Sequence, residues 1–121
     1  MVSGGIDSVT SAYIAKKLHR KEVTLLNFDY GQRAAIKERE AVQKVGQHLG
    51  CSVVQFDLTI LGSWGKSPLT DKTIELPLGM KSVESTLCWT PGRNMLMISF
   101  AAAYAESQGI KWLYYGNNME E

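Results

Sequence analysis

Two cysteines, two histidines and three prolines are all the chain contains of these residues in 121 positions, and each shortage closes off a class of function. Cys51 and Cys88 stand far apart without a second pair, so neither a disulfide framework nor a four-ligand zinc site can be assembled within this chain. Both read as ordinary buried or half-buried thiols. His19 and His48 fall in the last turns of helical patterns, where an imidazolium suits the negative end of the helix dipole; they read as helix-end residues, not catalysts. A net charge of +1 gives no broad basic surface for gripping nucleic acid through many phosphates. The longest nearly apolar run, Met95 to Ala105, is too short to cross a bilayer, and no charged-then-apolar leader opens the sequence. The expectation is a cytoplasmic protein with a small anionic ligand and no nucleic-acid or membrane partner. At 45% apolar residues, residues 1–121 have material for a single core and read as one domain.

What the chain does have starts at once. Ser3-Gly4-Gly5-Ile6-Asp7-Ser8 is a glycine-hinged, hydroxyl-rich loop running into a helical pattern. Gly4 and Gly5 can take backbone angles closed to other residues, so several amides can turn into one concavity backed by the positive end of a helix. Ser3 and Ser8 add hydroxyl donors. Asp7 is out of place beside an anion unless it meets Mg²⁺ or organises the loop through its own hydrogen bonds. The spacing is neither a Walker A loop nor the dinucleotide G-x-G-x-x-G pattern. The plainer alternative is a Ser/Gly turn that only caps the helix.

Ser8 to Arg20 predicts a helix with Ser11, Ile14, Ala15 and Leu18 on its inner face. Val23 to Phe28 reads as a buried parallel strand ending at Asp29-Tyr30-Gly31. Ala34 to Leu49 is a second helix closed by Gly50, and Ser52 to Leu58 a second strand. A long segment punctuated by Gly62, Gly65, Pro68, Pro77, Gly79 and Pro91 follows, too broken for regular structure. Thr90-Pro91 opens a third helix to Gln108, apolar nearly all round and so expected to be buried on several sides. Lys111 to Tyr115 reads as a final strand. This alternation predicts an α/β protein, a three-layer parallel sheet with helices on both faces and ligands at the carboxyl edge of its strands. Ser3–Ser8, Asp29–Arg33 and Gly116–Asn118 all fall at that edge. Only Met1 and Val2 precede a loop that needs a strand before it, and the end at Glu121 is as abrupt, so the sequence reads as a fragment of a longer protein.

Arg93 opens the third helix, where an arginine is not favoured electrostatically; its fork suits a carboxylate or a phosphate. Gln32 and Arg33, opening the second helix, carry a weaker version of the same argument. Tyr30 either stacks on a ring or packs. Trp64, Trp89 and Trp112 read as core or lid aromatics.

The first of these motifs resembles the PP-loop of the ATP pyrophosphatases. Together with Phe28-Asp29-Tyr30-Gly31-Gln32-Arg33, Ser67-Pro68-Leu69-Thr70 and Pro91-Gly92-Arg93-Asn94, in that order, it resembles the QueC family of queuosine and deazapurine biosynthesis. The likeness covers essentially this whole chain but only the first half or so of a typical member. It implies an adenine nucleotide alpha-hydrolase-like (Rossmann-like) PP-loop fold, and the ATP-dependent conversion of 7-carboxy-7-deazaguanine and ammonia to the nitrile through an adenylated intermediate. The implied catalytic residues are Asp7, Ser8 and Arg93. ATP would be held by Ser3, Gly4, Gly5, Ile6, Asp7 and Ser8, with adenine at Leu26 to Phe28 and Mg²⁺ on Asp7. The substrate would meet Tyr30, Gln32, Arg33, Arg93, Asn94 and Gly116. The family's zinc ligands are not in this chain, and a homo-oligomer is compatible with the likeness. Other readings are another adenylating PP-loop ligase, a deazaguanine-dependent modification or defence enzyme, or a nucleotide-binding module without catalysis.

Overall fold

A computed structural model of the chain describes residues 1–20, 22–64 and 92–116. Its elements run α1 (Ile6–His19), β1 (Thr24–Asp29), α2 (Ala35–Leu49), β2 (Ser52–Asp57), a 3-10 turn (Thr59–Ser63) and α3 (Arg93–Ser107). The two strands pair in parallel, from Thr24 opposite Ser52 to Asp29 opposite Asp57. Joining parallel strands demands a crossover, because the chain must return to the starting end of the sheet, and α2 is that crossover. It lies directly on β2: a Cβ placed on Gly46 would fall 2.7 Å from Val53 Cγ2.

Leu25, Leu26, Asn27 and Phe28 are buried in succession, the pattern of a strand covered on both faces. On one face Leu25 joins Val2, Ala12 of α1 and Val42 of α2. On the other, Leu26 and Phe28 pack with Leu58, Leu61 and with Met97 and Ala101 of α3. There the Phe56 ring stacks on Phe28 with centroids 5.2 Å apart and meets Tyr104 edge-on at 5.7 Å. Helices therefore cover both faces of a parallel sheet, which has two strands among the described residues.

Four sequence expectations need correction. The inner face of α1 is Ser8, Ala12 and Ala15, not the stripe through Ile14 and Leu18, both exposed; the small Ala12 packs with Leu25 and Val42, and the bulky side chains turn outward. α3 buries one face, Met97, Ala101 and Ala105, while Met95 on another side is 67% exposed. An all-round apolar helix is able to be buried on several sides, but among the described residues a single sheet face receives it. Lys111 to Tyr115 joins no ladder among the described residues. A cavity of about 620 Å³ lies between this segment and Thr24–Leu26 of β1, and the bridge across is Met1, whose amino group donates to Tyr114 O at 2.6 Å, and Val2, whose N–H donates to Leu26 O at 2.8 Å. The aromatic expectation also changes, since Trp64 and Trp112 are 61% and 68% exposed and so are not core residues. Ser67, Pro68, Leu69, Thr70, Cys88, Trp89, Thr90, Pro91, Asn117 and Asn118 lie outside the described residues.

Candidate functional site

The bond from Val2 to Leu26 runs the first residues alongside β1 and delivers the glycine loop at the strand's carboxyl end. Asn27, buried in the middle of β1, donates from Nδ2 to Val2 O at 3.1 Å and fixes the chain just before the loop. Gly4 then turns at φ +88, where a Cβ would fall 2.9 Å from Ala41 Cβ of α2. Only glycine combines that angle with that approach. The two serines close the loop on itself. Ser8 Oγ donates to Gly5 O at 2.9 Å and accepts from Ser3 N–H at 3.2 Å, and the two hydroxyl oxygens stand 3.3 Å apart.

Among the described residues no side chain caps the start of α1, and the first-turn amides of Ile6, Asp7 and Ser8 have no partner inside the helix. α3 begins the same way, with Gly92 at φ 66 as an uncapped N-cap. Residues from both starts, Asp7 and Ser8 from one and Arg93 and Asn94 from the other, line one cavity of about 290 Å³. Two positive helix ends and a guanidinium around one space favour an anion there.

Arg93 is held by its neighbours. Its Nη1 donates to Tyr30 Oη at 3.4 Å, its Nε donates to Asn94 Oδ1 at 3.1 Å, and its guanidinium carbon lies 5.2 Å from the centre of the Tyr30 ring. Gly116 closes the far side, so near the first turn of α1 that a Cβ there would fall 2.7 Å from Asp7 O.

Of the residues singled out from sequence, the cavity brings together Ser3, Gly5, Asp7, Ser8, Phe28, Tyr30, Arg93, Asn94 and Gly116. It does not take in Gly4, whose backbone rides on α2, Ile6, whose side chain is exposed, or Leu26, which belongs to the core under α3. Arg33 is exposed and is not part of the lining. Gln32 is turned inward: its Nε2 donates to Phe28 O at 3.1 Å and to Glu38 Oε2 at 2.9 Å, and its Oε1 accepts from Tyr30 N–H at 2.9 Å. The cavity also uses Asn27, inside the Leu26 to Phe28 stretch expected to meet adenine, and Glu38, which the sequence reading passed over. Asn27 had a signal, a lone amide inside an apolar strand; Glu38 looked like any acid in a helix's first turn. Cys51 is half-buried. Among the described residues no three His, Cys, Asp or Glu side chains gather as a metal cluster, and no helix is long and apolar enough to cross a membrane.

A parallel sheet covered by helices on both faces, with a serine-glycine loop passing from strand level into α1, defines the Rossmann-like PP-loop class of α/β proteins. The family model described as Queuosine biosynthesis protein QueC matches residues 1–121, and the chain belongs to that family. Among its relatives is a 7-cyano-7-deazaguanine synthase of Sulfurovum sp. (strain NBC37-1), 39% identical over 96% of this chain and 52% of the relative. Those of Bdellovibrio bacteriovorus and Methanocaldococcus jannaschii are 38% and 36% identical over all of this chain and 56% and 55% of their own lengths. The chain thus spans about half the length of these curated relatives. No solved structure gives a significant match.

Proposed function

We propose that this chain carries the nucleotide-binding site of an enzyme that converts 7-carboxy-7-deazaguanine, ammonia and ATP to 7-cyano-7-deazaguanine. The reading is supported by the relatives' names. The observation that carries it is the convergence of the Ser3–Ser8 loop and the Arg93–Asn94 helix start on one cavity.

A carboxylate is a poor electrophile because its charge repels an incoming amine; attack on the α-phosphorus of ATP would expel pyrophosphate and give an acyl adenylate, ammonia would displace AMP to give the amide, and a second ATP-dependent activation with loss of water would give the nitrile. The protein's share is then positioning and charge stabilisation, with no need for a nucleophilic side chain. The uncapped amides at Asp7 and Ser8 and the hydroxyl of Ser3 would hold the β- and γ-phosphates, while the Ser8 hydroxyl, which donates to Gly5 O, shapes the loop. Arg93, steadied by Tyr30 and Asn94, would pair with the substrate carboxylate or the α-phosphate, and Asn94 would face the deazapurine edge. The donors on the loop side of the cavity are oxygens, the Asp7 carboxylate and two hydroxyls, which fits a hard cation such as Mg²⁺.

Calorimetric titration of the chain with ATP tests the reading. Binding that requires Mg²⁺, is competed by pyrophosphate and weakens about tenfold or more in Arg93→Gln, the loss of one charge-assisted contact, is the expected result. Absence of ATP binding with and without Mg²⁺ would sink it. Adding the carboxy-deazaguanine and ammonia to an active complete-length relative carrying the same substitution should show the matching loss of AMP formation.

A further inference from the structure

Gln32 does the opposite of what its place in the sequence invites. It is 6% exposed, it is not part of the cavity lining, and both its amide group and its carbonyl oxygen are engaged. Its oxygen accepts from Tyr30 N–H, and its nitrogen donates to Phe28 O and to Glu38 Oε2. The two residues it orients, Tyr30 and Glu38, both line the cavity. Tyr30 in turn carries Arg93.

We propose that Gln32 is a positioning residue of this site, setting the Glu38 carboxylate and the Tyr30–Arg93 pair in the wall without itself meeting ligand. The ligand half of this inference rests on the nucleotide reading above. A glutamate side chain free in a helix's first turn samples many rotamers, and fixing it costs conformational entropy that the buried amide of Gln32 offsets. Fixing it matters because of where it lies: α2 at Glu38 passes against Gly4 of the loop, with Glu38 O 3.7 Å from where a Gly4 Cβ would sit. Phosphate held by that loop repels a carboxylate so near unless a cation stands between them. Glu38 therefore joins Asp7 on the metal side of a bound nucleotide. Gln32 occupies Oε2, and Oε1 has no partner among the described residues.

The first test needs no ligand. In NMR of the 121-residue chain, the Gln32 side-chain amide protons should exchange with solvent at least about tenfold more slowly than those of Gln47, exposed at the end of α2; equal rates would overturn the proposal. The second is a double-mutant cycle on MgATP affinity, with each variant's thermal unfolding checked first. Gln32→Met and Glu38→Gln should each weaken binding about tenfold, and the double variant should lose clearly less than the product of the two, the remainder passing through Tyr30 and Arg93. Full additivity of the two losses would refute action through Glu38. Should Gln32→Met fail to fold, Gln32→Glu takes its place, since it keeps the acceptor for Tyr30 N–H and lacks the donors to Phe28 and Glu38. If the unaltered chain binds no MgATP, the nucleotide reading falls alone. Gln32 is then judged by its exchange rate and by whether its substitution shifts the Glu38 carboxyl and Arg93 Nε resonances, both of which the proposal requires to move.

Discussion

Gly4 meets two constraints at once, a backbone angle of +88 and an approach of 2.9 Å between its would-be Cβ and Ala41 Cβ. Gly4→Ala is expected to cost about 2–4 kcal/mol, the sum of left-handed strain and overpacking against a side chain with no freedom to turn away. Urea denaturation measures it. Adding Ala41→Gly should recover only part, because the angle persists. Asn27→Leu should cost about 1–3 kcal/mol by removing the donor to Val2 O, seen as a lower urea midpoint with an unchanged slope. Glycines and serines of this kind are legible in a sequence because few other roles need their chemistry at that spacing. Gln32 was not legible in the same way. An amide after a strand serves equally as ligand or as turn support, and the choice was made by the fold of the turn, where Gly31 at φ +82 brings the chain round so that the side chain reaches back to Phe28 O.

Among the elements, β1, α2 and β2 could be read nearly to the residue, since each is defined by local chemistry: an apolar run, an amphipathic stripe ended by Gly50, and branched residues after it. The orientation of α1 and α3 could not, because which face a helix buries depends on what the rest of the chain offers it. The absence of a ladder at Lys111–Tyr115 has the same origin, as a strand exists only when a neighbour supplies its hydrogen bonds. The contact between α2 and β2 gives the sharpest element-level expectation. In an exposed helix Gly→Ala gains about 1 kcal/mol, yet Gly46→Ala should lose about 1–2 kcal/mol overall, since its Cβ would meet Val53 Cγ2 at 2.7 Å and Cys51 O at 3.1 Å. Val53→Ala in the same chain should reverse the sign of the effect, read by thermal or chemical unfolding.

For the 121-residue chain with a free amino terminus, pH acts through the Met1 amino group, which burial pushes down from 8.0 to about 6. The folded chain therefore binds fewer protons there than the unfolded chain. Stability from this group is fully present above pH 8, falls as the pH drops and is lost below about 6, a range on the order of 2–3 kcal/mol at most. Urea midpoints at pH 6, 7 and 8 should rise in that order, and acetylating the amino group should flatten the trend. The cavity draws its walls from the Ser3–Ser8 loop, from the end of β1 with Tyr30 and Glu38, from the start of α3 and from Tyr115 and Gly116, stretches that are separated in sequence. A bound nucleotide would then act as a reversible crosslink, fastening four stretches of chain to one another. At a hundredfold excess over its dissociation constant such a ligand adds about 2.7 kcal/mol. Resistance of the chain to proteolysis would thus read out occupancy of the site.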